Sequence, residues 1–147
     1  MELVLMVGLP ASGKSTFTRE RFAETHEIVS KDAMRKGSNR VKKQRLALEA
    51  ALSEGKSVVL DNTSVSREER AAAIEVAKAY GARVVVYRFD ESVEACRTRN
   101  ALREGAANVP LVAIYSAAKR YQEPSLEEGI DRIHGVKLGP EGFTIGS

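Results

Sequence analysis

The chain has 147 residues, 43% of them apolar and 29% charged, with a formal net charge of +3. That length can bury the core of one domain, and the composition is that of a globular protein, which excludes disordered and fibrous classes. The mild charge excludes bulk coating of nucleic acid, no apolar run approaches a membrane span, and the single cysteine, Cys96, excludes an internal disulfide and fits a reducing cytosol.

The first element is an apolar, β-branched run from Leu3 to Val7, which reads as a buried parallel strand. Gly8-Leu9-Pro10-Ala11-Ser12-Gly13-Lys14-Ser15 follows at once, a complete Walker A phosphate loop, and an amphipathic run opens at Thr16-Phe17. Gly8 and Gly13 let the backbone wrap so that successive N–H groups face phosphate oxygens. Lys14 is placed to reach the β- and γ-phosphates, and the Ser15 hydroxyl is the expected Mg²⁺ ligand. The helix that follows directs its N-terminal dipole at the same anions. A bound nucleoside triphosphate is the implied ligand, ATP with Mg²⁺ being the expected pair.

Further along, His26 to Ser30 is a weaker strand, Val58 to Leu60 and Val84 to Tyr87 are strong ones, and Arg132 to Leu138 is a candidate fifth. Helical segments alternate with them. One carries Leu46, Leu48 and Leu52 and closes at Gly55. Another opens on the capping box Ser66-Arg67-Glu68-Glu69, turns Ala73, Ile74, Ala77 and Tyr80 to the core, and ends at Gly81. Pro110 suits the first turn of a later helix and Pro124 marks its exit. There is no repeat, low-complexity tract or linker, so the reading is one domain over 1–147. Alternating βαβα units with a phosphate loop after the first strand predict an α/β, parallel sheet of four to five strands flanked by helices.

Ligands of such sheets bind beyond the carboxyl ends of the strands. Two further polar signals fall there: Ser30-Lys31-Asp32-Ala33-Met34-Arg35 and Asp61-Asn62-Thr63. Asp32 reads either as the N-cap of a short helix or as a general base for an attacking hydroxyl. Arg35, three residues on, shares its helix face and suits an anionic acceptor. Asp61 reads either as a Walker-B-like acid, touching Mg²⁺ through water or bracing Arg35, or as an Asx turn with Asn62 and Thr63. Two basic runs, Arg35 to Arg45 and Arg97 to Arg103, flank these positions; each is a solvated helix face or a polyanion contact. Cys96 has no histidine near it in sequence and reads as a small core residue.

Taken in order, Gly8 to Thr16, Lys31 to Arg35, Asp61-Asn62-Thr63, Arg97 to Arg103, Asn108-Val109-Pro110, Tyr115 and Tyr121 to Ile130 resemble the kinase module of polynucleotide 5′-hydroxyl kinases. The resemblance spans nearly the whole chain and implies a P-loop kinase-type fold with a short helical lid. It implies that Asp32 is the general base on the 5′-hydroxyl and that Arg35 binds the phosphate next to the acceptor nucleotide. Arg103 would be the lid arginine over the ATP phosphates, with Arg99 the second choice, and Asp61 and Asn62 would support the acceptor end. The sequence departs from many such enzymes in lacking the DxDxT phosphatase motif, and Lys31 stands where arginine is common. The expected activity is therefore stand-alone, ATP-dependent phosphorylation of a 5′-hydroxyl end of DNA or RNA. No obligate protein partner and no membrane contact are implied, and the expected location is cytoplasmic. Aromatic residues make up only 5% of the chain, which suits an enzyme that grips a terminus over one that stacks a long single strand. The alternatives are a small-metabolite kinase acting on a sugar, nucleoside or antibiotic hydroxyl, and a nucleotide-gated binding protein without transfer.

Overall fold

A computed structural model describes residues 1–30, 40–105, 108–139 and 142–146. Its elements in chain order are β1 (Glu2–Val7), α1 (Lys14–Phe22), β2 (Glu27–Val29), α2 (Arg40–Ser53), β3 (Val58–Leu60), α3 (Arg67–Ala79), β4 (Arg83–Phe89), α4 (Val93–Ala101), α5 (Leu111–Arg120), β5 (Arg132–Gly139) and β6 (Gly142–Gly146), with a 3₁₀ turn at Leu126–Glu128. The strands form one sheet in the order β2-β3-β1-β4-β5-β6. All pairs are parallel except β5 with β6. The α/β class therefore holds.

The sheet carries six strands among the described residues, more than the expected four to five. The sixth was hidden because Gly-Phe-Thr-Ile-Gly offers only two alternating apolar side chains, and its strand state comes from pairing with β5. Those two side chains, Phe143 and Ile145, pack onto the face of the sheet that α1 covers, with Phe17, Phe22, Tyr87 and Phe89. The opposite face buries Leu3, Leu5 and Val7 against Leu48 and Leu52 of α2 and Ile74 and Ala77 of α3. Helices on both faces explain why β1 reads as one unbroken apolar run.

Two expected core positions are exposed. Leu46 lies two residues from the buried Leu48, which turns it about 200° around α2, and it is 54% exposed. Tyr80 continues the buried spacing of α3, but the backbone has left the helix there (φ −100°, ψ 6°), so its ring points outward at 40% exposure. The capping box at Ser66 and Glu69 is present as read, with both reciprocal bonds, and Gly81 takes the left-handed φ of +72° that the helix exit requires. Cys96 is fully buried, and burial pushes its thiol pKa up, as expected of a packing residue.

Candidate active site

The loop between β1 and α1 is built by close backbone approach. Gly8 N–H donates to the Thr63 carbonyl at 3.0 Å, and a Cβ on Gly8 would stand 2.9 Å from Cβ of Phe89 and 3.0 Å from Oγ of Ser12, so no side chain fits there. Ala11 takes φ +64° and Gly13, the N-cap of α1, takes φ +97°. A glycine cap supplies no side-chain acceptor, which leaves the first amides of α1 to whatever sits in the loop. Lys14 is 7% exposed and folds over the loop, its Nζ donating to the Leu9 carbonyl at 2.6 Å and to Ser12 Oγ at 3.3 Å. Pro10 and Ser15 are half-buried and Thr16 is exposed.

Asp61 stands directly beyond the carboxyl end of β3, held by its N–H donating to the Val29 carbonyl at 3.0 Å. Its Oδ2 accepts a hydrogen bond from Ser15 Oγ at 2.8 Å. The two oxygen-bearing groups predicted to serve one cation thus touch across 46 residues of sequence. A hydroxyl beside a carboxylate is a hard-oxygen donor pair of the kind Mg²⁺ prefers. Asn62 faces Gln44 of α2 in a reciprocal amide pair, with Gln44 Nε2 donating to Asn62 Oδ1 at 2.9 Å and Asn62 Nδ2 donating to Gln44 Oε1 at 3.0 Å.

The lid candidates sit on and after α4. Arg99 Nη1 donates to the Ala11 carbonyl of the phosphate loop at 2.7 Å, and its Nη2 lies 4.0 Å from Glu91. Arg103, half-buried, follows one turn later. The stretch that carries it is pinned by two asparagines. Buried Asn100 exchanges bonds with both backbone groups of Val109, and Asn108 Nδ2 donates to the carbonyls of Asn100 and Arg103. An apolar cluster of Leu9, Ala11, Val65, Cys96, Ile114 and Ala117 seats α4 and α5 against the back of the phosphate loop. Asp32 and Arg35 lie outside the described residues, as does the first part of the basic run; Lys42, Lys43 and Arg45 of α2 are exposed.

Several supporting residues had no signal in the sequence. Arg70 is fully buried in α3 and forks onto Glu128 at 2.9 and 3.2 Å while donating to the carbonyls of Ser64 at 3.0 Å and Gln122 at 2.9 Å. This network holds the loop that carries Asp61, Asn62 and Thr63, in which Ser64 takes a left-handed φ of +44°. The charged helix start Arg67-Glu68-Glu69-Arg70 gave no hint that its last member points inward. Gln44 and Asn100 were equally silent, since a buried amide is recognisable only once its partners are in place.

Comparison with known proteins follows from this geometry. A family model described as an AAA domain matches residues 3–124. The bifunctional polynucleotide phosphatase/kinase of Schizosaccharomyces pombe is 32% identical over 139 residues, which is 92% of this chain and 33% of that protein. The chain therefore spans about a third of that relative's length. Among solved structures, Kti12 of Chaetomium thermophilum in complex with ADP-AlF3 is similar with a TM-score of 0.67 and 22% identity, over 92% of this chain and 88% of that one. An unliganded sugar kinase from Janibacter sp. is similar with a TM-score of 0.67 and 20% identity, over 94% and 84%. Both likenesses speak for the fold.

Proposed function

Since the chain belongs to the AAA domain family and has the P-loop kinase fold, we propose that it transfers the γ-phosphoryl group of ATP to the 5′-hydroxyl end of DNA or RNA. The observation that carries this is the joining of Lys14, Ser15 and Asp61 in one crevice at the carboxyl edge of the sheet, in a sequence 32% identical to a polynucleotide phosphatase/kinase over 139 residues. A pure nucleotide-binding protein has no need of an acceptor side, whereas the basic α2 start and the Asp61-Asn62 edge supply one.

In this reading the amides of the loop and Lys14 Nζ bind the β- and γ-phosphates, Lys14 leaving the Leu9 carbonyl for the phosphate oxygens. Ser15 and Asp61 would hold Mg²⁺, Ser15 directly and Asp61 through water; the ion would neutralise charge on the bridging phosphate oxygens. Asp32 accepts the proton of the 5′-hydroxyl as its oxygen bonds to the γ-phosphorus, and ADP leaves with the electrons of the broken P–O bond. Arg103 closes over the transferring group. Arg99 already bonds the loop carbonyl of Ala11, which suits it to couple lid position to loop position. Most of the rate would come from alignment and fixed charge.

The deciding experiment is label transfer from γ-labelled ATP to a 5′-hydroxyl oligonucleotide, with a 5′-phosphorylated oligonucleotide and Asp32→Ala as controls. Transfer that needs both the free hydroxyl and Asp32 is the expected result. ATP binding without transfer to any oligonucleotide would reject the reading in favour of a small hydroxylated metabolite, a choice the sugar-kinase fold keeps in view. Asp61→Asn retains an acceptor for Ser15 Oγ but loses the charge, so the Mg²⁺ concentration for half-maximal rate should rise about 10–100-fold. An unchanged Mg²⁺ titration would remove Asp61 from the metal site.

A further inference from the structure

A groove of about 340 Å³ opens between α2 and α3, just beyond β3. Its polar edge is Asn62, the residue after Asp61, so it adjoins the reaction site directly. Its walls are apolar: Val41 and Leu48 from α2, Leu60 from β3, and Ala72, Ala73 and Val76 from α3. Against them stands the Gln44–Asn62 amide pair, with Gln44 only 7% exposed. Glu68 also lines the groove and places a carboxylate there.

These walls discriminate between classes of acceptor. A sugar would press several hydroxyls against Leu48, Leu60, Ala73 and Val76, stripping them of water without giving partners, at about 1–3 kcal/mol for each unpaired group. A phosphate would meet the Glu68 carboxylate. A nucleobase has two apolar faces and a hydrogen-bonding edge, which is the pattern the groove presents. Each amide of the pair spends one N–H and one lone pair on its partner and keeps one of each. Turning both amides over together preserves both bonds and exchanges the outward donors and acceptors, so the pair can meet any of the four base edges.

We propose that this groove seats the 5′-terminal nucleobase of the acceptor, with the Gln44–Asn62 pair facing the base edge; this rests on the polynucleotide-kinase reading above. The seat orients the terminal nucleotide so that its 5′-hydroxyl reaches the crevice of Lys14 and Asp61. It also explains how a chain with few aromatic residues could grip a single-stranded end without a stacking platform.

The test compares steady-state transfer to two oligonucleotides that differ only at the 5′-terminal nucleotide, one with its base and one carrying an abasic tetrahydrofuran residue. KM should be about tenfold higher for the abasic end, with kcat little changed and with similar KM for all four bases. Ala72→Phe, which fills the groove from an exposed helix position, should bring the base-bearing and abasic substrates towards equal KM. Equal KM for the two ends in the unsubstituted protein, with transfer to both, would overturn the base seat alone. Absence of transfer to either end would overturn the polynucleotide reading and the seat together.

Discussion

Replacing Lys14 with alanine is expected to lower the rate of phosphoryl transfer about 10²–10³-fold, the usual cost of losing one preorganised donor to a developing phosphoryl charge. ATP affinity should fall as well, by roughly ten- to a hundredfold, because a charge-assisted hydrogen bond is lost. The geometry explains why both quantities move. Lys14 is 7% exposed and its Nζ already lies inside the loop on the Leu9 carbonyl, so its charge is held at the site before any phosphate arrives. Lys14→Arg should not rescue, because a planar guanidinium cannot take the place of a compact ammonium within 3.3 Å of both Leu9 O and Ser12 Oγ. Calorimetry of ATP binding beside the label-transfer assay measures the two losses separately. A variant with native affinity and rate would overturn the phosphate-loop assignment.

Arg70→Met should be the most damaging single change for stability. Removing one partner of a buried ion pair leaves the other charge uncompensated, at about 3–5 kcal/mol, or roughly 6–20 °C in melting temperature for a domain of this size. Glu128 would be the stranded charge, and the Ser64 and Gln122 carbonyls would lose their donors. The double variant Arg70→Met with Glu128→Leu should recover much of the melting temperature, since the buried charge goes with its partner. It should not recover the Mg²⁺ dependence of the rate, because Ser64 then has no tether and the Asp61 loop loosens. Full recovery of both would show that Arg70 contributes packing alone.

The same pair gives the protein an acid limit. Burial alone would raise the Glu128 pKa, but the Arg70 hydrogen bond, the Ser125 N–H and the charges of Arg70 and Arg67 outweigh it and hold the carboxyl below its ordinary 4.5. Glu69 is likewise held low: burial opposes this, and the Ser66 backbone N–H and Arg120 overcome it. A carboxylate whose folded pKa is depressed stabilises fully above the unfolded value and loses that contribution as pH falls through the folded one. Melting temperature should therefore drop as pH is lowered below about 4.5, and Glu128→Gln should flatten that slope.

Sequence alone carried the elements whose signals are local. The phosphate loop sits between an apolar run and a helix within 22 residues, and each of its parts acts on neighbours a few positions away. The capping box at Ser66 and the glycine exit at Gly81 were legible for the same reason, since a helix end is satisfied by residues beside it. Four parallel strands could be read because burial on both faces writes itself as unbroken β-branched runs. The tertiary structure decided what depends on pairing between distant segments. The Ser15–Asp61 bond spans 46 residues, the Arg70–Glu128 pair 58 and the Arg99–Ala11 contact 88, and no local pattern encodes any of them. Of the two readings open for Asp61, the contact with Ser15 favours the metal-side carboxylate over a simple turn residue. The sixth strand, the outward Tyr80 and the buried Gln44 likewise took their states from partners brought close by the chain's path, because burial and hydrogen bonding are properties of a neighbourhood and not of a residue.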